Sequence, residues 1–204
     1  MDAIIKNSLE KSMSYQDYRD LVAELASNNT TSGDQKTEAL ADYTKLNDKR
    51  MKRWDKTIKV PDLYQSQIKN SDASLTWLVI TESWCGDAAH IMPVINKVAT
   101  LNGNIDYKVV LRDDNPELID AFLTNGGRAI PKLIMLDNAT GDVVGTFGPR
   151  PSEATAAVNK YKEEHGSVTP EFKEDLQRWY NKNKGENIIH DLTTKLNELH
   201  LVAK

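Results

Sequence analysis

Two hydrophobic patterns alternate along the middle of the chain. Continuous apolar runs rich in β-branched residues are typical of strands buried on both faces, and apolar residues recurring every three or four positions are typical of amphipathic helices. The runs predict strands at 75–81, 105–111, 130–136 and 143–147, and the periodic segments predict helices at 87–102, 116–124 and 152–165. The order β-α-β-α-β-β-α predicts an α/β fold with a central mixed sheet of four strands, or five, flanked by helices.

Amphipathic segments also flank this central part on both sides. Before it, Ser14 and Asp17 form a capping-box pattern that opens a helix, and a longer helix is predicted from 34 to about 56. After it, helices are predicted to begin at Thr169-Pro170 and just after Gly185. Amphipathic helices normally bury their apolar stripe within their own chain, so we expect these helices to pack on the core rather than to form a partner-binding arm.

The pattern therefore predicts one compact unit in three parts. An N-terminal helical extension covers 1–60, the α/β domain covers 61–166, and a C-terminal helical extension covers 167–204. The length of 204 residues fits this arrangement, because it is long for one small domain and short for two independent ones.

Composition and charge narrow the class of protein. Hydrophobic residues make up 39% of the chain and charged residues 27%, which is typical of a folded, water-soluble protein. The net charge of −4 argues against a nucleic-acid partner, since phosphate binding needs a dense basic face. The N-terminal segment does not resemble a signal peptide, and no run approaches the ~18 apolar residues of a membrane span. We expect a cytoplasmic protein without a membrane partner.

The candidate chemistry is concentrated in one short stretch. Residues 84–88, Trp-Cys-Gly-Asp-Ala, lie between the first buried strand and a helix, and Cys85 is the only cysteine. One cysteine excludes an internal disulfide and a cysteine-rich metal site. A cysteine at a helix N-terminus lies where free backbone N–H groups favour the thiolate. Asp87 opposes this effect, and pairing of Asp87 with His90 would weaken the opposition. The spacing of Cys85 and His90 is poor for a catalytic Cys–His pair.

The order of these features resembles the thioredoxin superfamily, and in particular a bacterial group with helical extensions on both sides. Trp84-Cys85-Gly86 is similar to the start of a thioredoxin active site, Pro93 corresponds to the proline of the following helix, and Ile130-Pro131 corresponds to the cis-proline segment. The hairpin at 137–148 also has the matching length. The resemblance covers about 90 residues and implies a thioredoxin-like fold.

The resemblance also implies which residues form the site. Cys85 would be the catalytic nucleophile, and the substrate would bind beside it through the following residues: Trp84, Gly86, Asp87, Arg128, Ile130 and Pro131. A cis Pro131 would leave the backbone of Ile130 free to pair with an extended peptide. Arg128 would either reach a substrate carboxylate or thiolate, or remain a solvated loop residue. No metal site is expected, because nothing completes a ligand set around Asp113-Asp114.

Two departures from the thioredoxin pattern change the expected chemistry. Ala88 occupies the position of the second, resolving cysteine, and Val79 occupies the position of a buried acid that helps to deprotonate that cysteine. The two losses are consistent with each other. Without a resolving cysteine to deprotonate, a buried carboxylate would only add a desolvation cost.

Two functions remain open on this pattern. The first is monothiol thiol–disulfide exchange, in which Cys85 forms a mixed disulfide with a protein or peptide substrate. Glutathione or another small thiol would then act as co-substrate in place of a bound cofactor. This hypothesis predicts a lowered pKa for Cys85. The second is a non-catalytic thioredoxin-fold module that binds a peptide or protein, with an incidental thiol. The sequence contains no indication of the oligomeric state.

Overall fold

The computed structural model describes residues 1–202 and contains a five-stranded mixed sheet surrounded by helices. The strands are β1 (Met13–Ser14), β2 (Leu75–Thr81), β3 (Ile105–Leu111), β4 (Lys132–Asp137) and β5 (Val143–Phe147). The helices are α1 (Ala3–Glu10), α2 (Tyr15–Ser27), α3 (Glu38–Thr57), α4 (Asp62–Lys69), α5 (Gly86–Ala99), α6 (Pro116–Ala121), α7 (Ser152–His165), α8 (Pro170–Asn183) and α9 (Glu186–Val202).

The sheet has the order β1-β3-β2-β4-β5. The central strand β2 pairs in parallel with β3 and antiparallel with β4, and β5 continues from β4 as a hairpin. Both faces of β2 are covered, so that Trp77, Leu78, Val79 and Ile80 have no exposed surface. The carboxyl end of β2 leads directly into the loop before α5, which places the sole cysteine at the edge of a rigid core.

The predicted α/β fold with a mixed sheet is confirmed, and its fifth strand is β1. Strands β2, β3 and β5 have the predicted bounds, whereas β4 begins two residues later, at Lys132. The pattern missed α1 and β1, since a short helix and a two-residue strand carry little periodic signal. The C-terminal extension continues as helix to Val202, and residues 203 and 204 lie outside the described residues.

The N-terminal extension packs on α5 through α3, and α2 packs in turn on α3 and on β3. The predicted capping box is present, with Ser14 Oγ accepting from the backbone N–H of Asp17 at 3.1 Å. Tyr18, Val22, Met51 and Trp54 form the buried stripe of the two helices. This packing encloses one charged group: the Arg19 guanidinium is buried between Asp55 (2.9 Å) and Asp48 (3.4 Å). A buried charge is tolerable only when it is paired, and here two carboxylates provide the pairing.

The C-terminal extension is tied to the core by α9. Ile188, Ile189, Leu192 and Leu196 are almost completely buried and pack into the same core as the sheet. Asp191 also caps α7, because its carboxylate accepts from the backbone N–H of Ser152 at 2.6 Å and from the Ser152 hydroxyl at 2.8 Å. The capping oxygen of α7 therefore comes from another helix, α9.

A membrane span is missing from the part of the chain that the structure describes: none of its helices combines the required length with the required apolar character.

Candidate functional site

The candidate site begins in the loop that joins β2 to α5, and buried hydrogen bonds hold this loop in place. The Ser83 hydroxyl lies 2.8 Å from Thr44 Oγ1 and 3.1 Å from Thr31 Oγ1, and it accepts from the backbone N–H of Ser32 at 2.9 Å. The Asn47 amide donates to the Ser83 carbonyl at 2.9 Å. Two of these partners come from α3, so the N-terminal extension fixes the backbone that enters the site.

Cys85 is the N-cap residue of α5 and is 8% exposed. Its thiol donates to the carbonyl oxygen of Ile130 at 3.3 Å, and the Ile130–Pro131 peptide bond is cis. Burial, followed by the charge of Asp87, raises the pKa of Cys85 to about 12, although backbone N–H groups of Ala88 and Asp87 favour the thiolate. The pKa change is opposite to the lowered value that a cysteine at a helix N-terminus predicts, because desolvation outweighs the helix terminus.

Asp87 is held by residues of the C-terminal half. Its carboxylate forms an ion pair with Arg150 at 2.6 Å and accepts from the Tyr180 hydroxyl at 3.0 Å. Burial raises the pKa of Asp87, while Arg150 and Tyr180 oppose the change. We name these three residues the Asp87 latch, since they fasten the start of α5 to α8 and to the loop before α7.

His90 is not paired with Asp87, a pairing that the sequence left possible, because its two ring nitrogens have other partners. His90 is 1% exposed, accepts from the Trp54 indole N–H through Nδ1 at 2.9 Å, and contacts Gln177 Oε1 through Nε2 at 2.7 Å. Its ring stacks on Tyr180 at a centroid distance of 4.6 Å. Burial is the main cause that lowers the pKa of His90 to about 4. The imidazole is therefore a neutral part of the packing between α3, α5 and α8.

The structure covers most of the predicted substrate-binding residues. Ile130 and Pro131 are buried, and Trp84 is half-buried with the Arg112 guanidinium 5.0 Å from its ring centroid. Gly86 lies beneath α3 and α8. A Cβ atom at Gly86 would lie 3.7 Å from Arg50 Nη1 and 4.0 Å from Gln177 Nε2. The helical extensions thus occupy the space above the start of α5.

Arg128 is the exposed exception among the predicted binding residues. Its guanidinium forms a bidentate pair with Asp120, with distances of 2.6 Å and 2.5 Å. It is solvated on its loop, and the structure gives it no contact with Cys85.

Glu82 is a buried acid that the sequence analysis missed. It is completely buried, accepts from the Ser32 hydroxyl through Oε2, and accepts from the backbone N–H of Asp113 through Oε1 at 2.9 Å. Burial raises the pKa of Glu82. A carboxylate directly after an almost continuously apolar strand was the available signal. Val79 and Ala88, the positions of the two expected losses, are packed in the core.

No cluster of three or more metal-ligating side chains occurs within the described residues. The buried acids already have partners in the protein: Glu82 accepts from Ser32 and Asp113, and Asp87 from Arg150 and Tyr180.

Comparison with known families agrees with this geometry. A family model described as Thioredoxin matches residues 33–164, which is well over half of the chain. This chain belongs to the thioredoxin superfamily. The matched region runs from the turn before α3 to the end of α7, so the family includes the helix that covers the start of α5 in addition to the thioredoxin-like sheet.

Solved structures support the fold at low sequence identity. A protein of unknown function from Pseudomonas aeruginosa is 16% identical, with a TM-score of 0.60 over 76% of this chain and 86% of that chain. A crystallised HIV epitope scaffold is 17% identical, with a TM-score of 0.56 over 91% of this chain and 99% of that chain. No curated protein shows significant similarity to this sequence.

Proposed function

We propose that this thioredoxin-superfamily protein is a non-catalytic binding module and that Cys85 serves the packing of the site rather than thiol–disulfide exchange. The observation that carries the proposal is the state of the thiol, which is 8% exposed, donates to the Ile130 carbonyl and has a pKa raised to about 12. A thiol of this pKa is almost entirely protonated at pH 7, and the thiolate is the attacking species.

The surroundings of Cys85 support the same proposal. A mixed disulfide at Cys85 would need a substrate sulfur to reach a thiol that is 8% exposed at the start of α5. Arg50 and Gln177 lie beside the next residue, Gly86, and the Asp87 latch fastens this end of the helix. Ala88 provides no thiol to resolve such an adduct.

Monothiol exchange is the competing function, and one observation favours it. Sγ lies beside the cis Ile130–Pro131 peptide, and backbone N–H groups of Asp87 and Ala88 are directed at the sulfur. Release of the Asp87 latch would expose this arrangement. The two functions therefore differ in the reactivity of the folded protein.

Alkylation with iodoacetamide separates the two functions. We expect the native protein to react at pH 7 far more slowly than the same chain in denaturant, with a ratio of at least about a hundredfold set by the rarity of the thiolate and the closed site. Disulfide-containing substrates and glutathione should give no turnover. A native thiol that alkylates as fast as the denatured one, together with glutathione-dependent activity, would reject the proposal.

A further inference from the structure

A cationic pocket lies between α3 and α8, next to the start of α5. It has a volume of about 260 Å³ and is lined by Leu46, Lys49, Arg50, Arg53, His90, Gln177 and Asn181. Three of these side chains are positively charged, in a chain whose net charge is −4. We call this cavity the α3–α8 pocket.

The three cations of the α3–α8 pocket have no carboxylate partner. Within the described part of the chain, no Asp or Glu oxygen lies within 4.0 Å of Lys49, Arg50 or Arg53. The acidic residues nearby on α3 are used elsewhere, since Asp48 pairs with Arg19 and Lys52 on another face. Half-buried Arg50 makes one side-chain hydrogen bond, to the side-chain amide oxygen Oδ1 of Asn47 at 3.1 Å. Burial, followed by repulsion from Arg53, lowers the pKa of Arg50. Arg50 is the partly desolvated member of the group, whereas Lys49 and Arg53 are exposed, and an anion bound beside Arg50 would offset both its burial and the repulsion from Arg53.

The neutral side chains of the α3–α8 pocket also present hydrogen-bond donors. The tautomer of His90 determines which end of the Gln177 amide is free. Trp54 can only donate, so His90 Nδ1 is an acceptor and Nε2 carries the proton. His90 Nε2–H therefore donates to Gln177 Oε1 at 2.7 Å, which leaves the Gln177 NH₂ group as the free end of that amide.

The orientation of the Asn181 amide is determined in the same way, by the donor that its oxygen accepts from. Its Oδ1 accepts from Arg53 Nη2 at 2.5 Å, so its NH₂ group is also free to donate. Every amide oxygen that faces the pocket is thus already used by a protein donor. What remains is a set of guanidinium, ammonium and amide N–H groups, which is the chemical complement of a multiply charged oxyanion.

A second cleft continues from this pocket and shares Arg53 and Asn181 with it. The cleft has a volume of about 720 Å³ and combines apolar surface from Trp54, Val60 and Pro61 with the cations Lys59 and Lys184. Asp62 and Glu186 also line it, so the cleft is less cationic than the α3–α8 pocket. A ligand with an anionic head and a larger, partly apolar body fits this pair of cavities.

We propose that the α3–α8 pocket binds the phosphate group of a small phosphomonoester whose organic part extends into the adjoining cleft. Three cations favour a dianion over a single carboxylate, and paired guanidinium groups match the oxygens of a phosphate. The inference goes beyond the proposed function, because it concerns a pocket whose lining does not include Cys85.

The test uses inorganic phosphate, phenyl phosphate and the dicarboxylate succinate as probes, with binding measured by calorimetry on the full chain. We expect both phosphates to bind at millimolar concentration or better, phenyl phosphate more tightly because of the cleft, and succinate at least about tenfold more weakly. Absence of phosphate binding at about 10 mM, or succinate binding as tight as that of phosphate, would overturn the assignment.

Variants locate the site and separate binding from folding. Gln177→Glu keeps an oxygen that accepts from His90 Nε2–H but places a carboxylate beside Arg50, and Arg50→Gln removes one cation. Each should weaken phosphate binding about tenfold or more. Gln177→Glu should not lower the stability of the ligand-free protein, because it neutralises an unpaired charge. Arg50→Gln also removes the hydrogen bond to buried Asn47 Oδ1 and should cost some stability, so Gln177→Glu is the variant that separates binding from folding. The matched control is Arg178→Gln on α8, whose arginine is exposed and already paired with Glu174 and Asp175.

The results distinguish a failure of the phosphate assignment from a failure of the proposed non-catalytic function. If Arg178→Gln weakens phosphate binding as much as Arg50→Gln does, binding reflects general charge attraction, and the assignment of the phosphate site to the α3–α8 pocket is overturned. If phosphate does not bind while the thiol remains unreactive, the ligand assignment alone fails. If phosphate binds as described while Cys85 proves reactive, the non-catalytic function fails and the pocket stands.

Discussion

Individual buried polar residues determine the state of the site. Cys85, Glu82 and His90 all have pKa values displaced toward their neutral forms, and in each case burial is the largest cause. Cys85 and His90 make hydrogen bonds in their neutral forms, whereas the two donors that face Glu82 favour its carboxylate and oppose the effect of burial. The free energy of unfolding should therefore change with pH as these groups titrate.

Glu82→Gln tests the buried acid. The folded-state pKa of Glu82 is raised above its usual value, so its protonated form contributes stability at low pH that is lost as the pH rises through the folded pKa. The variant mimics the protonated form at every pH. As the pH rises from about 4 to about 7, the free energy of unfolding of the wild type should fall relative to that of Glu82→Gln, because only the wild type has a group that ionises here. Urea denaturation across this range measures the difference, and a gain in the opposite direction would mean that Glu82 is stabilised as a carboxylate.

Two buried tryptophans provide a matched test of the Trp54–His90 hydrogen bond. Trp54→Phe removes the donor of His90 Nδ1, whereas Trp77→Phe removes an indole N–H that is buried without a partner in the described structure. Both changes leave a similar cavity, so we expect Trp54→Phe to cost more stability, by about 1–3 kcal/mol. Denaturant unfolding of both variants gives the comparison. Equal losses would assign the whole effect to packing.

Contacts between helices, rather than any one helix, close the site. The Asp87 latch joins α5 to α8 and to the loop before α7, and Gln177 of α8 joins His90 of α5. These contacts link residues that are more than 60 positions apart in the chain. They have no local sequence pattern, since a helical repeat shows which face is buried but not which helix covers it.

Replacing the two charged residues of the Asp87 latch should cost unequal amounts of stability. Arg150→Gln leaves the Asp87 carboxylate buried without its cation and should destabilise the protein by about 2–3 kcal/mol, whereas Asp87→Asn removes the charge itself and should cost less. Asp87→Asn should also lower the pKa of Cys85, because the Asp87 charge raises it. Denaturant unfolding and thiol titration of both variants measure these effects. A larger loss in Asp87→Asn than in Arg150→Gln would contradict the described ion pair.

Sequence reasoning succeeded where the signal was local. Apolar runs located β2, β3 and β5, and the position of Cys85 at the start of α5 followed from Trp84-Cys85-Gly86 after a buried strand. The cis Ile130–Pro131 bond was correctly inferred from resemblance. The lowered thiol pKa expected at a helix N-terminus was wrong because the burial of Cys85 is a tertiary effect. Arg150, Tyr180 and Gln177 were missed for the same reason, whereas Glu82 stood next to a recognisable strand.

At the scale of the whole molecule, the two extensions and the sheet share one core. Residues of α2, α3 and α9 pack into the same apolar cluster as β2, and this cluster encloses Trp54, Trp77 and Leu192. A thioredoxin-like sheet carrying independent arms would instead have separate cores. The extensions are thus part of the structure that keeps Cys85 covered.

This shared core predicts cooperative unfolding. We expect helix content, followed by circular dichroism, and tryptophan fluorescence to be lost together in a single denaturant transition. An earlier transition that removes helix content while the environment of buried Trp77 remains native would show that the extensions fold as separate units. Leu192→Ala in α9 should lower the midpoint of the whole transition, with a loss of about 2–5 kcal/mol.

The central claim is that Cys85 is held as a buried, neutral thiol within a closed thioredoxin-like site. Titration of thiolate absorbance in the native protein tests it most directly, with Cys85→Ser as the blank for tyrosine ionisation. The account predicts no thiolate signal through neutral pH and a pKa of about 12, or ionisation only when the protein unfolds. A native pKa below the ordinary value of ~8.5 would contradict the account and favour monothiol chemistry.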